Sequence, residues 1–432
     1  MPPDSPDDSN IRWRAIVGQG HGTRHARLAV FAVLCWSAIA MNFWAKIPKP
    51  IIGLSPMDGV TDASFRFITA KHGKPDVILT EFVNIQSALH SPQTLLKDLT
   101  YSEIERPIVA QIYGKTPELF YQVAHVVCEL GFDGLDINMG CPAKKVAATG
   151  CGAALIRTPM IAREIVRAAH RGIQDWHHGQ TLEDLNLRAD LIQGIHEINL
   201  ARNGWKTPPQ RRRIPVSVKT RLGYDRVIVE EWLGVLLEEQ LAAISLHGRT
   251  LEQGYRGEAD WEAIARAVET ATPTDTLLIG NGDAQDLSDV YRRVQQTGVD
   301  GVLVGRGAQG DPWLFRFKNR VKEALCSGEE IVLPESSVSL AQRFAVIVEH
   351  SEHFERLCGR SRFMAMRKHL TWYCRNFRGA AEMRAKMTRA NSADEVRYRL
   401  QEFAQNFSDA ATMPTRQIPD QQSVGIEGNV SV

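Results

Sequence analysis

Short apolar runs alternate with longer amphipathic segments between residues 51 and 305. The runs cover residues 51–55, 77–81, 107–112, 134–138, 214–219, 242–247, 276–280 and 299–305. Each run is rich in Val, Ile or Leu, as expected for parallel strands that are buried on both faces. Eight such strands separated by helices predict an α/β fold, a (β/α)8 TIM barrel, over residues 41–330. A doubly wound sheet is the alternative, but no G-x-G-x-x-G motif follows the first run.

The apolar spacing takes on a helical period after the eighth run. Apolar residues recur at i, i+3, i+4 and i+7 from Ala341 onward, which is the pattern of an amphipathic helix. We therefore predict a C-terminal all-helical domain over residues 331–408. Residues 409–432 are polar and show no period, so we expect a disordered tail.

The N-terminal part of the chain allows three interpretations. Residues 28–45 form an uncharged run that arginines precede. Such a run is typical of a signal peptide, with a small-residue cleavage site at 38–40, or of a short membrane helix. The third interpretation takes Met41 as the natural start, and we favour it because the sequence continues from there directly into the first predicted strand. Residues 1–40 would then be a non-native or disordered extension, and no membrane association is expected.

The stretch 131–155 concentrates the most chemistry in one place. Its strand stops at Cys141, because Pro142 has no N–H to donate and disfavours helix in the residue before it. Lys144 and Lys145 follow directly, so we expect them to lower the pKa of the thiol or to attract an anion. The glycine-rich loop beyond them would let the backbone approach a bulky group. The simpler interpretation is that Cys141 is one more small buried residue.

Polar groups stand at the carboxyl ends of the predicted strands, where TIM barrels carry their chemistry. They include Glu81, Gln111, Asn138, Lys219, Arg221, His247, Arg249, Asn281, Asp283 and Arg306. Ordinary caps and turns would be Ser, Thr, Gly or Asp, so this set favours an anionic, ring-containing ligand. The last two loops are glycine-rich and occupy the usual phosphate position of the fold. We therefore predict a phosphorylated cofactor, with Gln111 and Lys219 near its ring.

Overall composition adds little to this picture. The net charge is only +1, and hydrophobic and charged residues make up 44% and 23% of the chain. The seven cysteines contain no C-x-x-C pair, which disfavours a zinc site or a redox dithiol. A dispersed, odd set of cysteines suits a reducing compartment, so we expect a cytoplasmic protein, and we expect it to be a monomer.

Local charge does change the picture in the helical domain. Ten Lys and Arg residues but only one acidic residue, Glu382, lie between residues 356 and 389. A charged run is usually a solvated face, but this imbalance in a nearly neutral protein favours phosphate binding. Arg367 and Lys368 are our leading pair, because Trp372 follows closely and could stack on a base.

Seven motifs occur in a fixed order along the chain. They are PMDGVTD (56–62), TEF (80–82), DINMGCP (136–142), VSVKTRLG (216–223), HGRTLEQGYRGEADW (247–261), NGD (281–283) and VGRGAQGDPWLF (304–315). Together they resemble the tRNA-dihydrouridine synthase family, over a stretch from Met41 to about residue 405. The resemblance implies a TIM barrel that contains FMN, followed by a helical domain, and an activity that reduces particular uridines of tRNA with NADPH.

The resemblance also implies roles for single residues. FMN contacts are implied for Pro56, Met57, Gln111, Lys219, His247, Asn281, Gly282, Asp283, Gly305 and Arg306. The implied reaction adds a hydride to C6 of the uracil, and Cys141 matches the family's donor of the proton for C5. Asn138 and Arg221 match positions near the uridine, which must leave its stack to reach the barrel mouth.

Two features depart from the family pattern. Residues 172–213 are longer than the usual link between the fourth helix and the fifth strand, and they end in three arginines. This insert is either a surface helix that touches RNA or a solvated insertion. Cys151 stands where a smaller residue is more frequent in the family, and we assign it no role.

Two rival functions stay open on the sequence. One is an FMN barrel that acts on a free metabolite, such as a dihydroorotate or dihydropyrimidine dehydrogenase, which needs no basic helical domain. The other is an RNA-binding barrel that has lost catalysis. The intact Cys141, Lys219 and His247 argue against this second alternative.

Overall fold

The computed structural model describes residues 42–203, 211–334 and 338–406. Its strands are β1 (Ile51–Leu54), β2 (Ile78–Leu79), β3 (Val83–Asn84), β4 (Ile108–Tyr113), β5 (Gly134–Met139), β6 (Val216–Arg221), β7 (Ala243–His247), β8 (Leu277–Asn281) and β9 (Gly301–Val304). All neighbouring strands pair in parallel, and pairing between β2 and β4 closes the sheet into a barrel. The predicted (β/α)8 barrel is confirmed.

The second strand position is interrupted, which the sequence did not predict. β2 pairs with the beginning of β4, and β3 pairs with its last two residues. Between them, Thr80 places its side chain in the ladder, where its Oγ1 accepts the backbone N–H of Gln111 at 2.9 Å. Because a hydroxyl replaces the carbonyl that a continuous strand would offer, the predicted run 77–81 ends as a strand at Leu79.

Helices follow the strands and cover the barrel. They are α1 (Phe43–Lys46), α2 (Ala63–His72), α3 (Ile85–His90), α4 (Pro92–Asp98), α5 (Pro117–Glu129), α6 (Lys144–Ala148), α7 (Pro159–His177), α8 (Ala189–Asn203), α9 (Val229–Leu237), α10 (Trp261–Ala271), α11 (Leu287–Thr297) and α12 (Lys318–Ser327). Asp62, Asp260 and Asp286 accept backbone N–H groups in the first turns of α2, α10 and α11. Each such cap satisfies a donor that has no partner within the helix and contributes about 1 kcal/mol.

The barrel interior is apolar at its base and polar toward the carboxyl ends of the strands. Trp44 of α1 is 1% exposed and packs at the base. Its cluster contains Ile51, Val77, Leu79, Val109, Ala243, Ile279 and Leu303. Higher in the barrel, Gln111, Asp136 and Ser217 lie in register across β4, β5 and β6. The strands therefore change from packing residues to polar residues about halfway along the barrel axis.

The predicted C-terminal helical region is present. It consists of α13 (Leu340–Cys358), α14 (Arg367–Tyr373), α15 (Ala380–Met387) and α16 (Ala393–Asn406), which share a hydrophobic core that also includes Ile68 and Trp313. This region docks on α2 of the barrel. The ring of His353 stacks on Phe67 at 4.0 Å, and His369 Nε2 lies 3.0 Å from Asp62 Oδ2. The helical region is thus fixed next to the loop that follows β1.

The predicted insert, residues 172–213, contains α8, which packs against the barrel. Its inner face is buried, and two of the three arginines at the end of the insert also contact the protein. Arg211 Nη1 donates to the Gln180 carbonyl at 2.7 Å, and Arg212 Nη2 donates to Asp133 Oδ1 at 2.6 Å. Helix α8 of the insert is therefore docked on the barrel, and Arg211 and Arg212 are bound to other parts of the protein.

Within the described residues, no helix combines the length and the apolar character that a membrane crossing requires. The predictions for residues 1–40 and for the tail at 409–432 lie outside the described residues.

Candidate active site

A cavity of about 620 Å³ opens at the carboxyl ends of the strands. Most of the predicted site residues line it: Pro56, Met57, Asn138, Cys141, Lys219, Arg221, His247, Asn281, Gly282, Asp283, Gly305 and Arg306. These side chains come from widely separated parts of the sequence, and the parallel barrel brings them to one end.

The turn that carries Cys141 is held by the residue that precedes it on β5. Asn138 Oδ1 accepts the backbone N–H of Gly140 at 3.0 Å and that of Cys141 at 2.9 Å. Cys141 is 5% exposed. Gly152 has a φ of +61°, and a Cβ there would lie 3.2 Å from Cys141 Cβ. The absence of a side chain at Gly152 therefore lets the glycine-rich loop pack closely against Val146 and Cys141.

The Cys141 thiol is protonated at neutral pH. Burial raises its pKa above the ordinary value, and a hydrogen bond from the Ala143 backbone and the charges of Arg221 and Lys219 only partly oppose this effect. The thiol pKa is thus raised, so the expectation that it is lowered is wrong. The other expectation for Lys144 and Lys145, that they attract an anion, stays a prediction. A neutral thiol is a proton donor rather than a nucleophile.

Lys219 and Asn281 form a polar pair on one wall of the cavity. Lys219 Nζ donates to Asn281 Oδ1 at 2.9 Å, and Asn281 Nδ2 donates to the Leu303 carbonyl at 2.9 Å. Burial, with a contribution from the charge of Arg221, lowers the pKa of Lys219 to about 8. Lys219 is still mainly a cation at pH 7, so it presents a positive charge to the cavity.

Arg221 connects three loops at the cavity. Its Nε donates to the Gly140 carbonyl at 2.7 Å, and its Nη1 donates to the carbonyls of Thr250 and Gly254 at 2.9 and 3.0 Å. Burial lowers the pKa of Arg221 to about 10, so it also remains charged. Burial and the surrounding cations hold the pKa of His247 far below its ordinary value, so this ring is neutral.

A carboxylate organises the glycine-rich end of the cavity. Asp283, which has a φ of +54°, accepts hydrogen bonds from Arg249 Nη2 at 2.7 Å and from Arg306 Nη2 at 2.6 Å. Burial alone would raise the pKa of Asp283, but the hydrogen bonds from Arg249 keep it below the usual value. Arg306 is 51% exposed, so part of its guanidinium remains accessible to an anion in the cavity. Gly282 has a φ of +139°, a conformation that disfavours any other residue.

Gln111 lies beneath the cavity and is not among the residues that line it. Its side chain is fully buried, and its Nε2 donates to Asp136 Oδ2 at 2.7 Å. The predicted contact between Gln111 and a cofactor ring stays a prediction.

Arg367 and Lys368 lie outside the cavity and bind other parts of the protein. Arg367 Nε donates to the Ala390 carbonyl at 2.9 Å, and Lys368 Nζ donates to the carbonyl of Gly59 in the loop after β1. Their predicted role in substrate binding stays a prediction, and both side chains already have a structural partner.

Residues that sequence reasoning did not single out also contribute to the site. Asp58 and Tyr255 line the cavity, and Asp136 is fully buried below it. A signal existed for Asp136, because it stands two residues before Asn138 on a strand and therefore on the same face. Tyr255 lies in a loop, and its position along the chain gave no reason to expect it at the site. Cys151 is buried and is not among the residues that line the cavity.

The fold and the cavity define a TIM-barrel protein with a cationic site at the carboxyl ends of its strands, where enzymes of this fold carry their active sites. A family model described as "Dihydrouridine synthase (Dus)" matches residues 53–178 and 197–412. The chain therefore belongs to the dihydrouridine synthase family. The gap between the two matched segments lies within the predicted insert.

Curated relatives carry the same family name. A "Probable tRNA-dihydrouridine synthase 2" from Bacillus subtilis (strain 168) is 34% identical over 85% of this chain and 98% of the relative. A "Probable tRNA-dihydrouridine synthase" from Staphylococcus aureus (strain MRSA252) is 32% identical over 84% of this chain and 95% of the relative. Among solved structures, DHODH from Eimeria tenella in complex with ferulenol is 14% identical, with a TM-score of 0.40 and coverage of 72% and 94%. That similarity is too weak to support an argument about activity.

Proposed function

We propose that this protein reduces uridines of tRNA to 5,6-dihydrouridine, using NADPH and an FMN bound in the cavity. The observation that carries the proposal is a buried, protonated Cys141 thiol in the same cavity as the cations Lys219 and Arg221. Membership of the dihydrouridine synthase family and the names of the curated relatives support tRNA as the substrate.

The residues around the cavity fit a flavin mononucleotide. A volume of about 620 Å³ is within the usual range of small-molecule sites. Arg306, next to the glycine-rich loop after β9, would hold the phosphate, and Lys219 would face negative charge on the ring. A reduced flavin bound there would supply the hydride for C6 of the uracil.

Cys141 would deliver the proton that C5 of the uracil needs. An ordinary thiol has a pKa of about 8.5, and burial raises the pKa of Cys141 further, so the proton is present at neutral pH. Asn138 and Arg221 line the cavity with Cys141 and would hold the base in place. Transfer of this proton in the course of the reaction is general acid catalysis.

The C-terminal helical region would bind the tRNA. Several arginines of this region are exposed: Arg356, Arg360, Arg362, Arg375, Arg378, Arg384 and Arg389. Extruding a uridine from its stack costs a few kcal/mol, so contacts with the rest of the tRNA must offset that cost. Arg367 and Lys368 remain candidates, but the exposed arginines are freer to meet phosphates.

The proposal is tested by mixing the protein, loaded with FMN, with unmodified tRNA and NADPH and measuring nucleosides by mass spectrometry. We expect dihydrouridine to accumulate at defined positions of the tRNA. Parallel reactions with free uracil and with dihydroorotate address the first rival function. Turnover of a free base without any dihydrouridine in tRNA would replace our proposal with a metabolite dehydrogenase. A protein that binds tRNA but retains no flavin would instead indicate an RNA-binding barrel that has lost catalysis.

A further inference from the structure

A continuous set of hydrogen bonds runs beneath the cavity floor. Ser217 Oγ donates to Asp136 Oδ1 at 2.6 Å, and Gln111 Nε2 donates to Asp136 Oδ2 at 2.7 Å. Asn138 Nδ2 in turn donates to Gln111 Oε1 at 3.1 Å. All four side chains are buried, with exposures between 0% and 6%. We call the set formed by Asp136, Gln111 and Asn138 the Asp136 relay.

The polarity of the Asp136 relay is fixed from both ends. At the upper end, Asn138 accepts the backbone N–H groups of Gly140 and Cys141, and a backbone N–H can only donate. The oxygen of Asn138 must therefore face the turn, and its Nδ2 must face Gln111. At the lower end, an ionised Asp136 can only accept, so it requires the Nε2 of Gln111. The two ends demand the same orientation of both amides.

The position of Asp136 is otherwise unfavourable for a carboxylate. It is fully buried inside the barrel, where packing residues such as Val and Leu are usual, and burying a charge without partners is costly. Burial raises the pKa of Asp136 to about 6, while its hydrogen bonds and the charge of Lys219 hold it down. The group is therefore mainly an anion at neutral pH, as the relay requires.

We propose that Asp136 is a positioning residue, whose carboxylate orients Gln111 and through it Asn138, and so fixes the turn that presents the Cys141 thiol to the cavity. The inference rests on the proposed function only in treating that thiol as the proton donor. Asp136 itself does not line the cavity, so it acts through the residues above it.

The relay is tested by reversing its polarity at one step. In Gln111→Glu, two carboxyl groups face each other and can share the contact only when one of them holds a proton. The contact is then intact at acidic pH and lost at alkaline pH. In the double variant Gln111→Glu/Asp136→Asn, the new amide at position 136 donates to the new carboxylate at position 111. That carboxylate still accepts from Asn138, and Ser217 still donates to position 136.

Two measurements on the full-length protein report on the contact between positions 111 and 136, and neither requires catalysis. The first is Tm between pH 6 and pH 9, and the second is the rate at which iodoacetamide alkylates Cys141, resolved by peptide mass spectrometry. We expect Gln111→Glu to lose Tm steeply as the pH rises and to be alkylated about threefold to tenfold faster than the wild type at pH 8.5. In the double variant, we expect a wild-type pH profile and alkylation within about twofold of the wild type.

A control variant separates the relay from a general loss of stability. Tyr101→Phe removes a hydroxyl at the far end of the barrel that donates to the Leu130 and Gly131 carbonyls and accepts from Arg106 Nη2. We expect a lower Tm but unchanged alkylation of Cys141. If Gln111→Glu alone does not fold, recovery of a folded double variant supports the relay, and failure of both variants overturns it.

Two further results would overturn the relay: alkylation of the double variant as fast as that of Gln111→Glu, or a Gln111→Glu pH profile parallel to that of the wild type. Dihydrouridine formation by the wild type decides the proposed function separately, because neither readout depends on it.

Discussion

Burial shifts the pKa of several titratable side chains at the cavity. It raises the pKa of Cys141 and lowers those of Lys219, Arg221 and His247. Burial therefore reinforces the neutral form of the thiol and of the imidazole, while Lys219 and Arg221 stay charged at pH 7 in spite of it. The buried cavity thus places a neutral thiol and a neutral imidazole beside these cations.

Cys141→Ala should lower the rate of dihydrouridine formation by about 10²–10⁴-fold, because it removes the proposed general acid. Flavin retention and tRNA binding should remain, since both use other residues. The matched control is Cys151→Ala, another buried cysteine nearby that does not line the cavity. Rates are compared by mass spectrometry of the tRNA. Loss of activity in Cys151→Ala, together with a fully active Cys141→Ala, would exchange the roles of the two thiols.

Lys219→Met should weaken FMN binding by about 1.5–3 kcal/mol, the typical contribution of a hydrogen bond to a charged group. The substitution keeps the length of the side chain but removes the buried cation that faces the cavity. Lys145→Met is the control, because Lys145 is an exposed lysine on α6. Fluorescence titration of the flavin-free protein measures both affinities. Equal FMN affinity in Lys219→Met and the wild type would remove Lys219 from the flavin site.

At the scale of elements, patterns along the chain predicted the strands but not the contacts between distant elements. The eight apolar runs all became strand positions, because alternation and apolar character are local properties. The break at Thr80 depends on a side-chain hydrogen bond to Gln111, which no periodicity reports. Likewise, Lys368 appeared as a free cation in the sequence, whereas it donates to Gly59, 309 residues away in the chain. Positions at strand ends could be predicted, but orientations of amides and partners across elements required the fold.

The contact between the helical region and α2 should weaken in acid. Burial lowers the pKa of His350 and of His369, and it lowers the pKa of His353 to about 4. The other charged groups at this contact are Asp62, Glu349, Lys71, Arg356 and Lys368. Because a histidine in the unfolded chain has a pKa near 6.5, the folded state binds fewer protons than the unfolded state below that pH. The stability of this contact is therefore fully present above about pH 6.5 and declines as the pH falls.

His353→Phe should make the protein less sensitive to acid, because it keeps the ring that stacks on Phe67 but cannot take up a proton. Between pH 7.5 and pH 5 we expect it to lose roughly 1 kcal/mol less stability than the wild type, a value discounted for the partial exposure of the ring. Denaturant unfolding at both pH values measures the difference. His196→Phe, at an exposed position on α8, is the control. The same acid sensitivity in His353→Phe and the wild type would exclude His353 as a source of the effect.

At the scale of the whole molecule, α1 closes the base of the barrel opposite the cavity. Trp44→Ala should lower the free energy of unfolding by about 3–5 kcal/mol, because it leaves a large void among packed strand residues. Tyr398→Ala, at a ring that is 68% exposed, should change it by less than about 0.5 kcal/mol. Chemical denaturation of both variants provides the comparison. A small effect of Trp44→Ala would mean that the barrel base does not depend on α1.

Binding of tRNA is a property of the whole molecule, because the cavity and the exposed arginines lie in different regions of the chain. If about five cations contact phosphates, the logarithm of affinity should fall with the logarithm of salt concentration at a slope of roughly −3.5 to −4.5. Arg360→Glu/Arg362→Glu should weaken binding and flatten that slope by roughly 1.4–1.8, since both side chains are exposed on the helical region. The flavin spectrum should not change.

The control pair for this experiment is Arg292→Glu/Arg320→Glu, which changes two exposed arginines on the outer helices of the barrel. It produces the same change in net charge, so any loss of affinity that it shares with the first pair reflects long-range electrostatics alone.

Arg367→Glu/Lys368→Glu should act differently. Because Arg367 and Lys368 bind Ala390 and Gly59, we expect this pair to lower Tm and disturb docking of the helical region more than it changes the salt slope. Filter binding over a range of salt concentrations distinguishes the three pairs. Equal slopes in all of them would place the tRNA contacts outside the arginines of the helical region.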